Sequence, residues 1–378
     1  GVDYFQTFSP TPKMTTLRVL LHVAAQRDYE LHSLDFSTAF LQGGLHEEIL
    51  LRRPPGITES FLAGTQWSLR RPVYGLRQAP RKWHDTLRTT LAAIGFAPAT
   101  ADPSLFLRTD ISLPWFYKRH TCTDLGELGN YLALQITRDR ARRTITLTQS
   151  HMVHQVLQRF GFKFSSPQPT PLSTSHSLSA PPTDESVELS GQYPELVGCV
   201  IVSGMGLVLG GWGPVVLTGH ADASWVDDSA TQQSSQGYTF SLGSGSVSWR
   251  STRSSSVISS SCEAEIYAGA MTAQELRWLT YLLTDLGEQP RLPPVLYVDN
   301  KAMIALCLEH RLEHRTKDIS LRYFLAQELQ QHGQLRLAYV VTRANTADVF
   351  TKALLLGDHQ HFSTVLGLVP TLPHLLTA

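Results

Sequence analysis

Residues 215–225 read VVLTGHADASW, an apolar strand pattern that carries an aspartate, Asp222, in its interior. An ionised carboxylate inside an apolar strand costs free energy unless a partner compensates for its charge. The arrangement recurs at residues 295–300, VLYVDN, where Asp299 ends a second strand. Residues 237–249, GYTFSLGSGSVSW, predict two further strands around a Gly-Ser-Gly turn. The second half of the chain is therefore predicted to fold around a β-sheet that carries acidic residues.

Helices are predicted to alternate with these strands. Residues 262–286 have the apolar spacing of one long helix. The other predicted elements of this half are a short strand at 254–260, helices at 301–310 and 321–331, a strand at 335–342 and a closing helix at 347–354. The order β-β-β-α-β-α-α-β-α predicts a mixed sheet with helices packed on it, in a domain over residues 215–368.

The first 164 residues also mix the two kinds of element, so the fold class is α/β (mixed α+β) and residues 1–164 form a domain of their own. The predicted elements are helices at 13–27, 78–95 and 151–160, and strands within 125–136 and at 144–148. A Ser/Pro-rich run at 165–182 marks a linker, which we extend over residues 165–214.

One uncharged stretch, residues 196–217, has the ~20-residue length of a membrane span. Its glycines, its proline and the lack of a basic flank favour a short buried strand or a deletion junction instead, so no membrane association is expected. The first ten residues lack the features of a signal peptide. The four cysteines form no CxxC pair, which argues against a zinc site or a disulfide framework.

The charge is balanced: Lys and Arg number 32, as do Asp and Glu. A nucleic-acid enzyme more often leans basic, although local clusters can still form a binding track. Two basic clusters stand out, and taken alone each is better interpreted as a solvated face. They are Arg70, Arg71, Arg77, Arg81 and Lys82, and Arg138, Arg140, Arg142 and Arg143.

Four acidic residues of the second half are candidate metal ligands: Asp222, Glu265 in the first turn of the long helix, Asp299, and Asp348 at the start of the closing helix. Carboxylates from separate elements suit Mg²⁺ or Mn²⁺, and two such ions can clamp the attacking and leaving oxygens of a phosphodiester. The alternative is four unrelated acids; Asp348 alone fits an ordinary helix-start position. The strand context of Asp222 and Asp299 makes that alternative weaker for them.

This half resembles the ribonuclease H domain of copia-type retrotransposons. The matching strings are GHADASW, SQGYTFSLGSGSVSW, SSCEAEIYAGAMTAQELRWLTYLL, LYVDNKAMIAL, HRTKDISLRYF and RANTADVFTKAL, in the family's order. The resemblance implies a five-stranded sheet, and Asp222, Glu265, Asp299 and Asp348 as catalytic metal ligands. Glu263 is the rival for Glu265. The family usually has His-Ile-Asp where this chain has Asp318-Ile319-Ser320, which leaves the four acids untouched.

The first half resembles the fingers and palm of a copia-type reverse transcriptase, through LHSLDFSTAFLQGGLHEEI, GLRQAPRKWHDTL and GFAPATADPSLF. The resemblance implies that Asp35 is the first metal-binding aspartate of the nucleotide site and that Phe40 is its aromatic gate. It also implies nucleic-acid contacts by Arg77, Gln78, Arg81 and Lys82.

The YVDD hairpin that supplies the family's other polymerase aspartates is missing after Leu107. Only Asp110 and Asp124 fall in the gap, and neither is predicted to stand on a strand. Residues 297–300, YVDN, belong to the later domain. A second gap falls near residues 196–206. A palm that lacks a central strand would expose apolar edges, so we expect residues 1–164 alone to fold poorly.

These observations favour a retrotransposon-derived enzyme that hydrolyses the RNA strand of RNA/DNA hybrids and has lost its polymerase activity. Three alternatives stay open: a polymerase rescued by Asp110 or Asp124, an inert nucleic-acid-binding remnant, and an integrase or transposase, whose D-D-E order differs from the D-E-D-D order here. The expected partners are an RNA/DNA hybrid, template RNA and other parts of the parent polyprotein. The expected location is intracellular, in cytoplasm, nucleus or virus-like particles.

Overall fold

The computed structural model describes residues 8–45, 47–51, 67–108, 122–159, 170, 205–228, 233–254, 258, 260–288, 293–308 and 325–371. The chain divides into two compact units, which are described separately. Unit 1 comprises Gly1–Thr16 and His32–Glu127, and unit 2 comprises Leu17–Leu31 and Leu128–Ala378. These units are defined by contacts within the folded chain, so they do not test the domain limits predicted at residues 164 and 214. Those limits stay predictions.

Unit 1 contains the first three residues of helix α1 (Met14–Arg27), followed by short strands and one long helix. Its elements are β1 (His32–Phe36), β2 (Leu50–Leu51), β3 (Trp67–Ser68), α2 (Ala79–Ala93), β4 (Ala97–Pro98), β5 (Phe106–Leu107) and β6 (Cys122–Glu127). They form three two-stranded sheets, β1–β6, β2–β3 and β4–β5. Helices α1 and α2 match the predicted spans within two residues.

The first sheet of unit 2 joins segments far apart in sequence. Its elements are β7 (Asn130–Tyr131), β8 (Leu134–Asp139), β9 (Thr144–Thr148), β10 (Met205–Gly210) and β16 (Leu368–Pro370), in the order β16-β10-β9-β8-β7. Helix α3 (Ser150–Arg159) follows β9. Strand β10 confirms the short strand predicted within the uncharged stretch. No helix that the structure describes is long and apolar enough to cross a membrane.

Helix α1 packs into unit 2 beside β10. Leu21 and Ala25 are fully buried, and the backbone N–H of Gly210 donates a hydrogen bond to Nδ1 of the buried His22 at 3.1 Å. Gly210 has φ +91°, and a Cβ there would lie 2.6 Å from Cβ of Ala25. Glycine is therefore required where the helix and the strand approach each other.

The second sheet of unit 2 has the order β13-β12-β11-β14-β15. Its strands are β11 (Thr218–Asp228), β12 (Gln233–Ser241), β13 (Ser246–Arg253), β14 (Val295–Val298) and β15 (Arg336–Tyr339). Strands β11, β12 and β13 pair antiparallel, whereas β14 pairs parallel with both β11 and β15. The predicted mixed five-stranded sheet is confirmed.

The helices of this half are α4 (Ser261–Asp285), α5 (Lys301–Leu308), α6 (Leu325–Gln331) and α7 (Leu356–Val365). The buried face of α4 carries the apolar core, including Ile266, Leu276, Leu279 and Leu283. The long helix therefore supports the sheet from which Asp222 and Asp299 project.

Two sequence predictions in this half need correction. Residues 347–354 do not form an α-helix: a 3-10 helix spans Thr346–Phe350, and α7 begins only at Leu356. Glu265 lies in the second turn of α4, not the first, because the helix begins at Ser261. The strand predicted at 254–260 lies largely outside the described residues.

Candidate metal centre

Three of the predicted acids meet at one point of the second sheet. Asp222 projects from β11, Glu265 from α4, and Asp299 follows β14 directly. Each offers a carboxylate oxygen within 4.8 Å of the others'. Strands β11 and β14 are parallel neighbours in which Ala221 pairs with Val298, so the next residues, Asp222 and Asp299, lie side by side. Asp299 is held in place by Thr342, whose hydroxyl donates to its Oδ2 at 2.8 Å.

Glu265 is the member of this group with an unsatisfied carboxyl oxygen. The residue is only 8% exposed, and its Oε2 has no hydrogen-bond partner. Burial and the charges of Asp222 and Asp299 together raise the pKa of Glu265 to about 9. Lys352 and a backbone hydrogen bond from Ala223 oppose this rise. A buried carboxyl group with one unpartnered oxygen, in a group with two other carboxylates, fits a bound divalent cation.

Glu263 does not fit the same role. It stands at the third position of α4, and its backbone N–H donates to Oγ of the N-cap residue Ser260 at 3.2 Å. A glutamate three residues after an N-cap serine is typical of a helix-capping arrangement. Glu263 is not part of the carboxylate group that joins Asp222, Glu265 and Asp299.

Asp348 reaches Asp222 through a lysine. Nζ of Lys352 lies 3.1 Å from Oδ1 of Asp222 and 3.1 Å from Oδ1 of Asp348. The hydroxyl of Thr351 donates to the other oxygen of Asp222, Oδ2. Burial and the charge of Asp222 together raise the pKa of Asp348 to about 7, although Lys352 opposes the rise. The pKa of Lys352 is raised, because the two aspartates outweigh the opposing effect of its burial.

Two residues let the segment that carries Asp348 lie against β11. The side chain of Asn345 is fully buried and donates to the carbonyl oxygen of Ala221 at 3.0 Å. Gly237 stands opposite Asp222 on β12, and a Cβ there would lie 2.8 Å from Cβ of Phe350. The absence of a side chain at Gly237 makes room for the 3-10 helix beside the acidic group.

Sequence reasoning did not find Thr351 and Lys352. Both stand in the quoted string RANTADVFTKAL, and Lys352 follows Asp348 by four residues, a spacing that brings side chains together on a helical turn. That spacing was the available signal for the contact with Asp348. The contact with Asp222, 130 residues away, follows only from the tertiary fold.

In unit 1, Asp35 lies on β1 opposite Thr123 of β6, and Leu34 lies opposite Asp124. The prediction that Asp124 has no strand context is therefore wrong. Successive side chains of a strand point to opposite faces, so Asp35 and Asp124 project to opposite sides of this sheet. Asp124 instead accepts from the backbone N–H of Gly126 at 2.8 Å. Asp110 lies outside the described residues, as does Asp318-Ile319-Ser320.

The other candidate residues of unit 1 lie around α2. The ring of Phe40 lies 4.6 Å from that of Tyr74, and Gln78 is buried immediately before α2. Arg81 pairs with Asp85 at 3.1 Å, and Lys82 pairs with Glu47 at 3.0 Å. Arg77, just before α2, also has an interaction partner. None of these residues belongs to an acidic group of the kind found in unit 2, within the part of the chain that the structure describes.

The second basic cluster is largely neutralised within unit 2. Arg138 and Arg140 contact Asp28 at 2.7 and 3.1 Å, and Arg140 also contacts Glu30 at 2.6 Å. The guanidinium of Arg143 donates to the carbonyl of Gln26 at 2.6 Å. These arginines hold the segment after α1 against β8 and β9, a structural role that the sequence did not predict.

Comparison with known proteins finds relatives over nearly the whole length of the chain. Residues 1–113 match the family model described as reverse transcriptase (RNA-dependent DNA polymerase). The chain is 31% identical to the retrovirus-related Pol polyprotein from transposon RE2 of Arabidopsis thaliana, over 99% of its own length and 30% of the relative's. It is 28% identical to that from transposon TNT 1-94 of Nicotiana tabacum, over 94% of its length and 32% of the relative's.

One solved structure is similar at low level. The N-terminal ribonuclease H domain of rv2228c from Mycobacterium tuberculosis, fused to maltose binding protein, is 15% identical. The match covers 36% of this chain and 91% of that one, with a TM-score of 0.26. The sequence relatives carry the assignment, and this chain spans about a third of their length. The chain belongs to the Pol polyprotein family of copia-type retrotransposons, with a reverse transcriptase segment at its N-terminal end.

Proposed function

We propose that this chain is a metal-dependent ribonuclease H that hydrolyses the RNA strand of RNA/DNA hybrids. The observation that carries the proposal is the meeting of Asp222, Glu265 and Asp299, with one buried oxygen of Glu265 left without a partner. Three carboxyl groups this close together cannot all be ionised unless cations lie between them. Phosphodiester hydrolysis with two metal ions requires a cluster of this kind.

The residues of the site have two roles, metal binding and the positioning of the metal ligands. Asp222, Glu265 and Asp299 would hold one Mg²⁺ or Mn²⁺, and Asp222 with Asp348 would hold another. When bound, such cations polarise the phosphodiester and the attacking water. Thr342 and Thr351 orient Asp299 and Asp222 through their hydroxyls. Asn345 holds the 3-10 helix that carries Asp348 against β11.

The same proposal includes loss of polymerase activity. Polymerisation needs at least two aspartates that share metal ions, and Asp35 faces away from Asp124 across the β1–β6 pair. The alignment with the RE2 relative is 435 positions long, which exceeds the 378 residues of this chain, so the relative carries residues that this chain lacks. This supports an internal loss of the kind expected after Leu107.

The second candidate is an inert remnant that binds nucleic acid but does not hydrolyse it. The observation that favours it is charge: the chain is neutral overall, and Arg81 and Lys82 pair with acidic residues. Template RNA, RNA/DNA hybrids and other parts of a polyprotein are the proposed partners in either case. An intracellular site of action, within virus-like particles, belongs to the same proposal.

Hydrolysis of a labelled RNA/DNA hybrid tests the proposal. The full chain is incubated with the hybrid and Mg²⁺ or Mn²⁺, beside the variants Asp299→Asn and Glu263→Gln. Asp299→Asn removes one carboxylate of the group, whereas Glu263→Gln changes the rival acid and keeps a residue suited to the capping position. We expect cleavage of the RNA strand by the unmodified chain and by Glu263→Gln, and its loss in Asp299→Asn.

The outcomes separate the two candidates. Absence of cleavage by a folded chain supplied with metal, together with retained binding of the hybrid, would favour the remnant. Equal cleavage by Asp299→Asn and the unmodified chain would show that the activity comes from elsewhere.

A further inference from the structure

The oxygens of Asp222 are divided between two different kinds of neighbour. Oδ2 accepts the hydroxyl of Thr351, and Oδ1 lies 3.1 Å from Nζ of Lys352. The same Nζ lies 3.1 Å from Oδ1 of Asp348. One ammonium group therefore bridges two carboxylates from separate elements, as a metal ion between them would.

The remaining acids form a separate position. The group with oxygens within 4.8 Å of one another contains Asp222, Glu265 and Asp299 but not Asp348. A second observation indicates an open cation position in this group. Oε2 of Glu265 is buried and has no hydrogen-bond partner. Asp222 is thus shared by two positions, one bridged by the ammonium group of Lys352 and one that contains the unpartnered oxygen of Glu265.

We propose that Lys352 is a built-in cation that occupies the Asp222–Asp348 position, so that the chain without nucleic acid binds one divalent ion and not two. This inference rests on the proposed function, because it assumes that the acidic group binds metal. The first ion enters among Asp222, Glu265 and Asp299. The second position opens only when the ammonium group withdraws.

The surroundings of Lys352 allow that withdrawal. Its side chain is 33% exposed, whereas those of Asp222 and Asp348 are only 1% and 7% exposed. A lysine carries its charge on a flexible four-carbon stem, so the ammonium group can move into solvent while the backbone stays in place. Asp222 cannot follow, because it lies on a strand and accepts a hydrogen bond from the hydroxyl of Thr351. Lys352 would thereby keep the buried carboxylates compensated until a second ion replaces it.

Counting bound Mn²⁺ tests this inference without any measurement of catalysis. The full chain is titrated with Mn²⁺ in the absence of nucleic acid, and bound ions are counted by electron paramagnetic resonance and calorimetry. We expect one ion per chain in the unmodified protein and two in Lys352→Met. Lys352→Gln, which keeps a hydrogen-bond donor but no charge, should also bind two and serves if Lys352→Met does not fold. Lys352→Arg, which keeps the charge, should bind one.

Lys301→Met is the matched control for net charge. Lys301 begins α5 two residues after Asp299, and its Nζ lies 4.7 Å from the ring centre of Tyr339. Its removal takes away one positive charge close to the site without opening the Asp222–Asp348 position, so this variant should bind one ion.

Each result has a definite meaning. One ion in every variant would overturn the role of Lys352 and leave the proposed function standing. Two ions in the unmodified protein would overturn it as well. Binding of no ion by any folded variant, with Asp299→Asn indistinguishable from the unmodified chain, would remove the metal site and the proposed function with it.

Discussion

The side-chain amide of Asn345 donates a hydrogen bond of 3.0 Å to the carbonyl oxygen of Ala221, the residue before Asp222. Its Oδ1 accepts from the backbone N–H of Ala347 at 3.3 Å, at the start of the 3-10 helix that carries Asp348. One buried side chain thus links the strand of one acid to the turn of another. The separation of Asp222 and Asp348 depends on this link.

Replacement of Asn345 by alanine should destabilise the protein by about 1–3 kcal/mol, because it leaves a buried carbonyl without its donor. Urea unfolding measures the loss, with Asn130→Ala on the exposed part of β7 as the control, which should change stability little. A stability equal to that of the control variant would show that the link between Asn345 and Ala221 contributes nothing.

The buried His22 should make the stability of the protein depend on pH. The pKa of His22 is lowered to about 4, because the effect of burial outweighs the opposing effects of the Leu242 carbonyl and the charge of Glu288. The folded state therefore binds fewer protons than the unfolded state, where the pKa is about 6.5. This contribution is complete above pH 6.5 and is lost as the pH falls towards 4, by about 3 kcal/mol in total.

Unfolding in urea at several pH values between 4 and 7.5 measures this loss. Other groups titrate in the same range, including His220, whose burial also lowers its pKa to about 4. The quantity to compare is therefore the pH slope of the unmodified chain against that of His22→Gln, which has no titrating ring. Identical slopes would contradict the prediction, whatever the absolute stability of the variant.

A polypeptide of residues 190–378 should be less stable and less soluble than the full chain. It keeps the second sheet of unit 2 but loses β9, which pairs with β10 from Leu207 to Gly210. It also loses α1, whose His22 accepts a hydrogen bond from Gly210. An apolar strand edge exposed in this way promotes association. Ultracentrifugation and hydrogen exchange at β10 check this. A monomer whose β10 amides are as protected as in the full chain would refute the expectation.

Primer extension by the full chain should be at background and insensitive to Asp35→Asn. Asp35 and Asp124 project to opposite faces of the β1–β6 pair, so they cannot hold one ion together. The measurement is nucleotide incorporation on a primed RNA template with Mg²⁺ or Mn²⁺. Extension that the Asp35→Asn change abolishes would mean that another carboxylate completes the polymerase site.

Local patterns in the sequence were sufficient for most elements of the fold. Strand β9 was predicted at its observed bounds, and α3 within one residue, because alternation and helical periodicity depend on residues close in the chain. The acids Asp222 and Asp299 were recognisable because a carboxylate in an apolar strand is unusual wherever that strand packs. The prediction of the closing helix was wrong because this segment is held by side-chain contacts with β11. Asn345 donates to the carbonyl of Ala221 and Thr351 donates to Asp222, and local periodicity cannot predict such contacts.

What the sequence by itself determined was therefore most of the helices, the strands of the second sheet of unit 2, the mixed α/β class and the acids proposed as metal ligands. Only the tertiary structure decided that Lys352 lies between Asp222 and Asp348, that Asp124 stands on a strand but faces away from Asp35, and that α1 packs against β10. The physical reason is range: periodicity records which face of an element is buried, whereas strand register and contacts between distant segments arise when the whole chain packs.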